Sequence, residues 1–191
     1  VCTLDPDDPH SPGLLAQYAR DFGIKGMRSI PARDGRLDHP GVRALWKTAL
    51  DRGLVINVLI GPDKAPECER LLADFPKLNV VLDHCLNLKA GQSPEPVVRM
   101  ARHRNLHAKL PCLPTGSATG FPCADMHAPC LKIVEAFGAE RCVWGSVFPC
   151  ELWTPRVTYA QHLRIFTHEL ALPESQRRAI LEETATRLWF R

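Results

Sequence analysis

Short apolar runs and amphipathic stretches alternate along this chain. Runs without polar alternation, over residues 24–30, 54–60, 79–84, 106–113 and 141–146, read as strands covered on both faces. Val1 to Leu4 reads as the remnant of one more strand. The intervening stretches carry a 3.6-residue period. Leu14, Leu15, Tyr18 and Phe22 share one face of a helix over 12–22. Val42, Leu45, Trp46, Ala49 and Leu50 form the stripe of the next helix, which Asp38 caps and Gly53 stops. Further helices are expected over 64–75, 94–103, 126–137, 155–170 and 173–188, with Cys130, Ile133, Val134 and Phe137 aligned in the third of these five. Strands separated by such helices imply a parallel sheet with right-handed crossovers. Periodicity alone leaves two architectures open, a doubly wound open sheet and part of an eight-stranded barrel. The stretch 114–125, with Gly116, Gly120 and Pro122, has no period and reads as a functional or mobile loop.

Composition narrows the function classes. The 191 residues suffice for a single domain over 1–191 with a sizeable core. A net charge of +3, with no basic run interleaved with aromatics, argues against a nucleic-acid partner. No apolar run approaches the ~20 residues of a membrane span. The N-terminus lacks the basic segment and apolar core of a signal peptide. It also lacks an initiator methionine, so a fragment is expected. Eight cysteines at irregular gaps, several in expected strands (Cys2, Cys85, Cys112, Cys142), read as buried thiols in a reducing cytoplasmic setting.

Several short motifs then resemble one family. Trp144-Gly145-Ser146-Val147-Phe148-Pro149 is similar to the W-G-S-D-x-P signature of the amidohydrolase-related family. These are TIM-barrel hydrolases and decarboxylases that include pyrone-dicarboxylate lactonase-like members. Gly26-Met27-Arg28 resembles the family's G-x-R strand end, and Val80 to His84 its V-x-D-H element. His107-Ala108-Lys109-Leu110 resembles its V-K-L-S strand. Ile180 to Leu188 resembles the closing I-L-x-x-N-A-x-R-L helix, with Thr184 for asparagine. The motifs occur in the family's order. The resemblance implies an α/β fold: a partial TIM barrel of strands three to eight, its first two strands absent, in one N-terminally truncated domain.

It also implies a reaction, the hydrolysis of a small carboxylated lactone, ester or amide. The alternatives are decarboxylation and a non-catalytic, degenerate or truncated paralogue. In the family the aspartate of the signature handles the metal or the attacking water, and here that position is Val147. No H-x-H pair exists, and Val58 to Gly61 offers no ligand histidine. No bound cofactor is therefore expected, although many family members hold zinc or manganese. Activity is expected to be weak or absent. His84 ends its strand as a substrate ligand or a proton-transfer group poised near neutral pH. Arg28 is a candidate grip for a substrate carboxylate, Arg33 a weaker one. Lys109, between apolar neighbours, is either paired inside the barrel or turned to the site. Asp83 is expected on the opposite side from His84, and Glu151 is the one nearby carboxylate that could replace the missing aspartate. A small-molecule substrate is the expected partner, with self-association through open strand edges.

Overall fold

The computed structural model describes residues 1–190. Its centre is a parallel six-stranded sheet in sequential order: β1 (Cys2–Thr3), β2 (Gly26–Ser29), β3 (Val55–Val58), β4 (Val80–Leu82), β5 (Leu106–Lys109) and β6 (Cys142–Val143). Sequential order with a crossover between every pair is the winding of a barrel wall. A doubly wound sheet would reverse its order at a switch point. β1 pairs with β2 alone and β6 with β5 alone, so the wall is open between them.

Strand alternation sorts the side chains onto two faces. Met27, Ile56, Val58, Val80, Leu82, Leu106, Ala108 and Cys142 point outward into the main core. Covering them are α1 (Ser11–Phe22), α2 (Pro40–Asp51), α3 (Ala65–Asp74), α4 (Glu95–Met100) and α6 (His127–Phe137). α2 shows why the sequence folds this way. Val42, Leu45, Trp46 and Ala49 are all buried, and the Trp46 indole donates to the Ser29 hydroxyl on β2 at 2.9 Å. The helix is capped by His39, whose Nδ1 accepts from the Gly41 amide. Asp38, expected in that role, instead pairs with Arg36 and Arg70. Phe22 lies off the core stripe of α1 and is exposed.

The inner face carries Val55, Val81 and Val143 at its lower end. Ala185, Leu188 and Trp189 of α9 (Thr184–Trp189) pack against them. The last helix thus plugs the floor of the open barrel, and β2 makes room for it. A Cβ at Gly26 would press on the Val55 carbonyl at 2.7 Å and meet the Trp189 indole nitrogen. The plug covers Val55, Val81 and Val143. The amide after β6, that of Trp144, is itself taken by the Ile180 carbonyl.

Between β5 and α6, the aperiodic stretch contains the short helix α5 (Leu113–Gly116). Asp125 gathers the Ser117 hydroxyl, the Ala118 amide and the Thr119 hydroxyl, which orders this loop. After β6 come α7 (Tyr159–Arg164), continued by a π-turn over Ile165–Glu169, and α8 (Glu174–Arg178), continued by a second over Ala179–Glu183. All eight cysteines are free thiols. Among the described residues, no helix is long and apolar enough to cross a membrane.

Candidate active site

The C-terminal ends of the strands open into a cleft of about 690 Å³. Arg28 enters from β2, His84 from beyond β4, Lys109 from β5 and Val147 from beyond β6. Four of the five residues singled out from the sequence therefore converge. The fifth, Arg33, does not. Its guanidinium is exposed and bound to Asp5 at 2.6 Å, with its amide on Asp7, around a separate hollow above β1.

The expected opposition of Asp83 and His84 fails at His84, since an inward Asp83 simply continues the alternation of Val81 and Leu82. Strand β4 ends at Leu82, two residues earlier than expected. Asp83 then faces the barrel interior, its side chain 1% exposed. Arg28 Nη2 lies 3.2 Å from one carboxylate oxygen and Lys109 Nζ 3.4 Å from the other. Both are charge contacts without hydrogen-bond alignment, since neither oxygen has a hydrogen-bond partner among the described residues. Lys109 is thus both paired and aimed at the site. It crosses directly over Gly145, where a Cβ would collide with its Cε. The glycine of the W-G-S turn leaves room for this lysine, whose end any larger side chain would have to push aside.

The next four residues leave the strand in a left-handed turn. His84, Cys85, Leu86 and Asn87 have φ of 55°, 49°, 61° and 57°. Residues with side chains visit this region singly, at a cost of roughly 1–2 kcal/mol each. Four in succession reverse the chain within one turn and bring His84 and Asn87 to the same cleft that Asp83 underlies. Backbone strain of this kind gathers at functional sites. His84 Nδ1 is buried without a partner among the described residues. Burial, with the Lys109 charge beside it, depresses the imidazole to about 4, against the opposing pull of Asp83. Burial therefore favours the neutral ring.

Val147 also sits at positive φ, 53°. A β-branched residue is a steric outlier in that region, whereas Gly, Asn and Asp enter it more readily. The turn keeps a geometry suited to aspartate and holds valine in it under strain. Val147→Gly is expected to raise stability by about 1 kcal/mol, because the lost strain exceeds the added freedom of the unfolded chain. Urea titration reads the difference.

Behind the turn stands His162 of α7, which the sequence motifs did not single out. It is fully buried, and its Nε2 accepts from the Trp144 indole at 3.4 Å. Trp144 packs edge-on against both Tyr159 and His162. Burial pushes His162 down to about 4, against a favourable contact with the Ser146 carbonyl and with some repulsion from His84. Its only sequence signal was its place in the final amphipathic stretch. Because both histidines have folded values below their unfolded value of 6.5, the unfolded chain binds more protons between pH 6.5 and 4. Stability is therefore complete above pH 6.5 and falls as pH falls through that window. The His162 share alone is expected to be about 2 kcal/mol by pH 4.5. Denaturant titrations across the window should show it, with a flatter profile for His162→Gln.

Glu151 does not replace the missing aspartate. Its carboxylate is exposed and accepts the Tyr159 amide at the start of α7. Cys112 lines the cleft, but burial raises its thiol above the ordinary 9.0, away from a thiolate nucleophile. The donor set does not suit a divalent cation either. It comprises one imidazole, His84, one thiol, Cys112, whose burial keeps it protonated, and one carboxylate, Asp83, already between two cations. Among the described residues, no three His, Cys, Asp or Glu side chains converge as ligands.

The sequence model of the amidohydrolase family matches residues 1–191. The chain belongs to the amidohydrolase family. An L-fucono-1,5-lactonase from Burkholderia ambifaria is 27% identical over 154 residues, 76% of this chain. The match covers 53% of that lactonase, so the chain spans about half its length. An amidohydrolase from Burkholderia multivorans, solved with bound zinc, superposes with a TM-score of 0.78 at 20% identity, over 97% of this chain and 70% of its own. The 5-carboxyvanillate decarboxylase of Sphingomonas paucimobilis superposes with a TM-score of 0.67 at 15% identity, over 98% of this chain and 65% of its own. These likenesses establish the amidohydrolase fold, a partial TIM barrel.

Proposed function

We propose that this amidohydrolase acts on a small carboxylated lactone, ester or amide, and that Val147 leaves its turnover low. One observation carries the reading. The cleft at the barrel mouth is lined by three cations, Arg28, Lys89 and Lys109, and by no carboxylate. Such a lining selects anions and repels cations. The planar fork of Arg28 and the ammonium of Lys109, both steadied from below by Asp83, suit a substrate carboxylate and the oxygen charge that grows at an attacked carbonyl. The kinship with a lactonase agrees with this chemistry.

Hydrolysis also needs a group that takes a proton from water as its oxygen bonds to the carbonyl carbon. Valine has no lone pair to offer. His84 has one, but a base whose conjugate acid ionises near 4 takes a proton poorly at pH 7. Charge stabilisation is therefore in place and proton transfer is not. A panel of carboxylated lactones, esters and amides tests this. Turnover is expected to lie well below the ordinary range, about 1 s⁻¹ and above, and His84→Ala should lower any residual rate. A panel member turned over at an ordinary rate that His84→Ala leaves unchanged would show that the chemistry lies elsewhere.

A further inference from the structure

The main cleft does not end at its own rim. A second cleft, of about 460 Å³, adjoins it and shares two lining residues with it, Thr115 and Trp153. Thr115 belongs to α5, and Trp153 to the segment between β6 and α7. The two hollows adjoin at Thr115 and the Trp153 indole, and together they make a groove with the indole between its two parts. Trp153 is 67% exposed although its neighbour Thr154 is buried. A large aromatic held out beside a cleft offers a stacking face to a flat group.

The chemistry of the second cleft is distinct. Its hydroxyls come from Thr115, Ser117 and Thr154, and its one charge is Arg156. Arg156 is exposed and has no carboxylate at ion-pair distance among the described residues. The nearest acidic side chain in sequence on the Ser117 side, Asp125, is already occupied by the loop that it orders. No Asp or Glu lines either cleft. The groove thus presents a paired cationic end at Arg28 and Lys109, an aromatic ring between its two parts, and a free guanidinium in the second.

We propose that the groove takes a two-part anion: a carboxylated reacting unit on Arg28 and Lys109, joined to a flat second unit that stacks on Trp153 and places its own negative charge at Arg156. This rests on the anion-selecting reading of the first cleft and extends it to the substrate's overall shape. A single small ring fills only one of the two hollows. It leaves Trp153 wet on the far side and Arg156 unused.

Calorimetric titration with three probes tests it: isophthalate, biphenyl-3-carboxylate and biphenyl-3,4′-dicarboxylate. The two-ring diacid is expected to bind about fivefold more tightly than the two-ring monoacid, the gain of one guanidinium–carboxylate contact near solvent. Arg156→Gln should erase that advantage and leave isophthalate binding unchanged. Trp153→Ala should weaken both two-ring probes by about tenfold, the usual scale of an aromatic stack. Both side chains are exposed, so neither variant threatens the fold. If Arg156→Gln and Trp153→Ala leave the two-ring diacid's affinity unaltered, the second subsite is wrong. Arg28→Gln separates the two claims. It should weaken isophthalate, and if it does not, the reading of the first cleft fails, whatever the second cleft does.

Discussion

Aspartate at position 147 is expected to accelerate hydrolysis of a small carboxylated lactone or ester by about 100- to 10,000-fold, the usual contribution of a positioned general base. The comparison requires chains that also carry a first strand bearing two histidines. In the chain as it stands, aspartate alone should not rescue turnover, because the donor set at the cleft is still short of the family's. The physical ground is the turn after β6. Its backbone at φ 53° already holds a residue in the region that aspartate tolerates. Gly145 already gives Lys109 passage across the turn. His162 and Trp144 already brace it from behind. A new carboxylate would therefore be aimed rather than loose, and it would enter a cleft with cations and no competing acid on its walls. Progress curves on matched chains, with and without Val147→Asp, decide it. Equal rates would mean that the turn no longer points its side chain at the substrate.

The second large effect concerns the floor of the cleft. Lys109→Met is expected to cost about 3 kcal/mol, because it leaves the buried Asp83 carboxylate with Arg28 alone. Lys109 itself is largely buried, its side chain 19% exposed, so little water replaces the ammonium. Asp83→Asn should also destabilise, by bringing two cations together without their common counter-ion. The double variant should lose less than the two single losses combined, since the charge that each stranded is gone. Thermal and urea unfolding of the four proteins close the cycle. Strict additivity would show that the three charges do not act as one group.

How much of this was legible beforehand differs by residue. The helix stripes were readable because burial follows periodicity. Val42, Leu45, Trp46 and Ala49, and likewise Cys130, Ile133, Val134 and Phe137, are buried as their spacing required, while Leu50 is half-buried and the first helix buries only Leu15 of its expected stripe. The six parallel strands were readable for the same reason, as was the meeting of Arg28, His84, Lys109 and Val147, through motifs that end strands of a barrel. Asp83 was misplaced because His84 was taken as the inward residue: alternation from Val81 and Leu82 keeps Asp83 inside, and His84 joins it only through a left-handed turn that no local composition announces. Leu86 and Cys85 are poor residues for that conformation, so only tertiary packing can account for it. The burial of His84 beside Lys109, which favours its neutral form, was not legible, because it comes from strands distant in sequence. Arg33 shared a loop with real strand-end residues and was drawn off by Asp5 and Asp7. His162 was invisible because a histidine on a helix face declares its role only when its neighbour, here Trp144, is known.

The plug formed by α9 bears on the order in which the molecule can be completed during synthesis. Each βα unit packs against its sequence neighbours, so the outer core can assemble as the chain emerges. The inner floor cannot. Val55 and Val81 are made more than a hundred residues before Leu188 and Trp189, which cover them. Until residue 189 has been translated, the concave side of the sheet stays open beneath the cleft, and the site above it has no finished base.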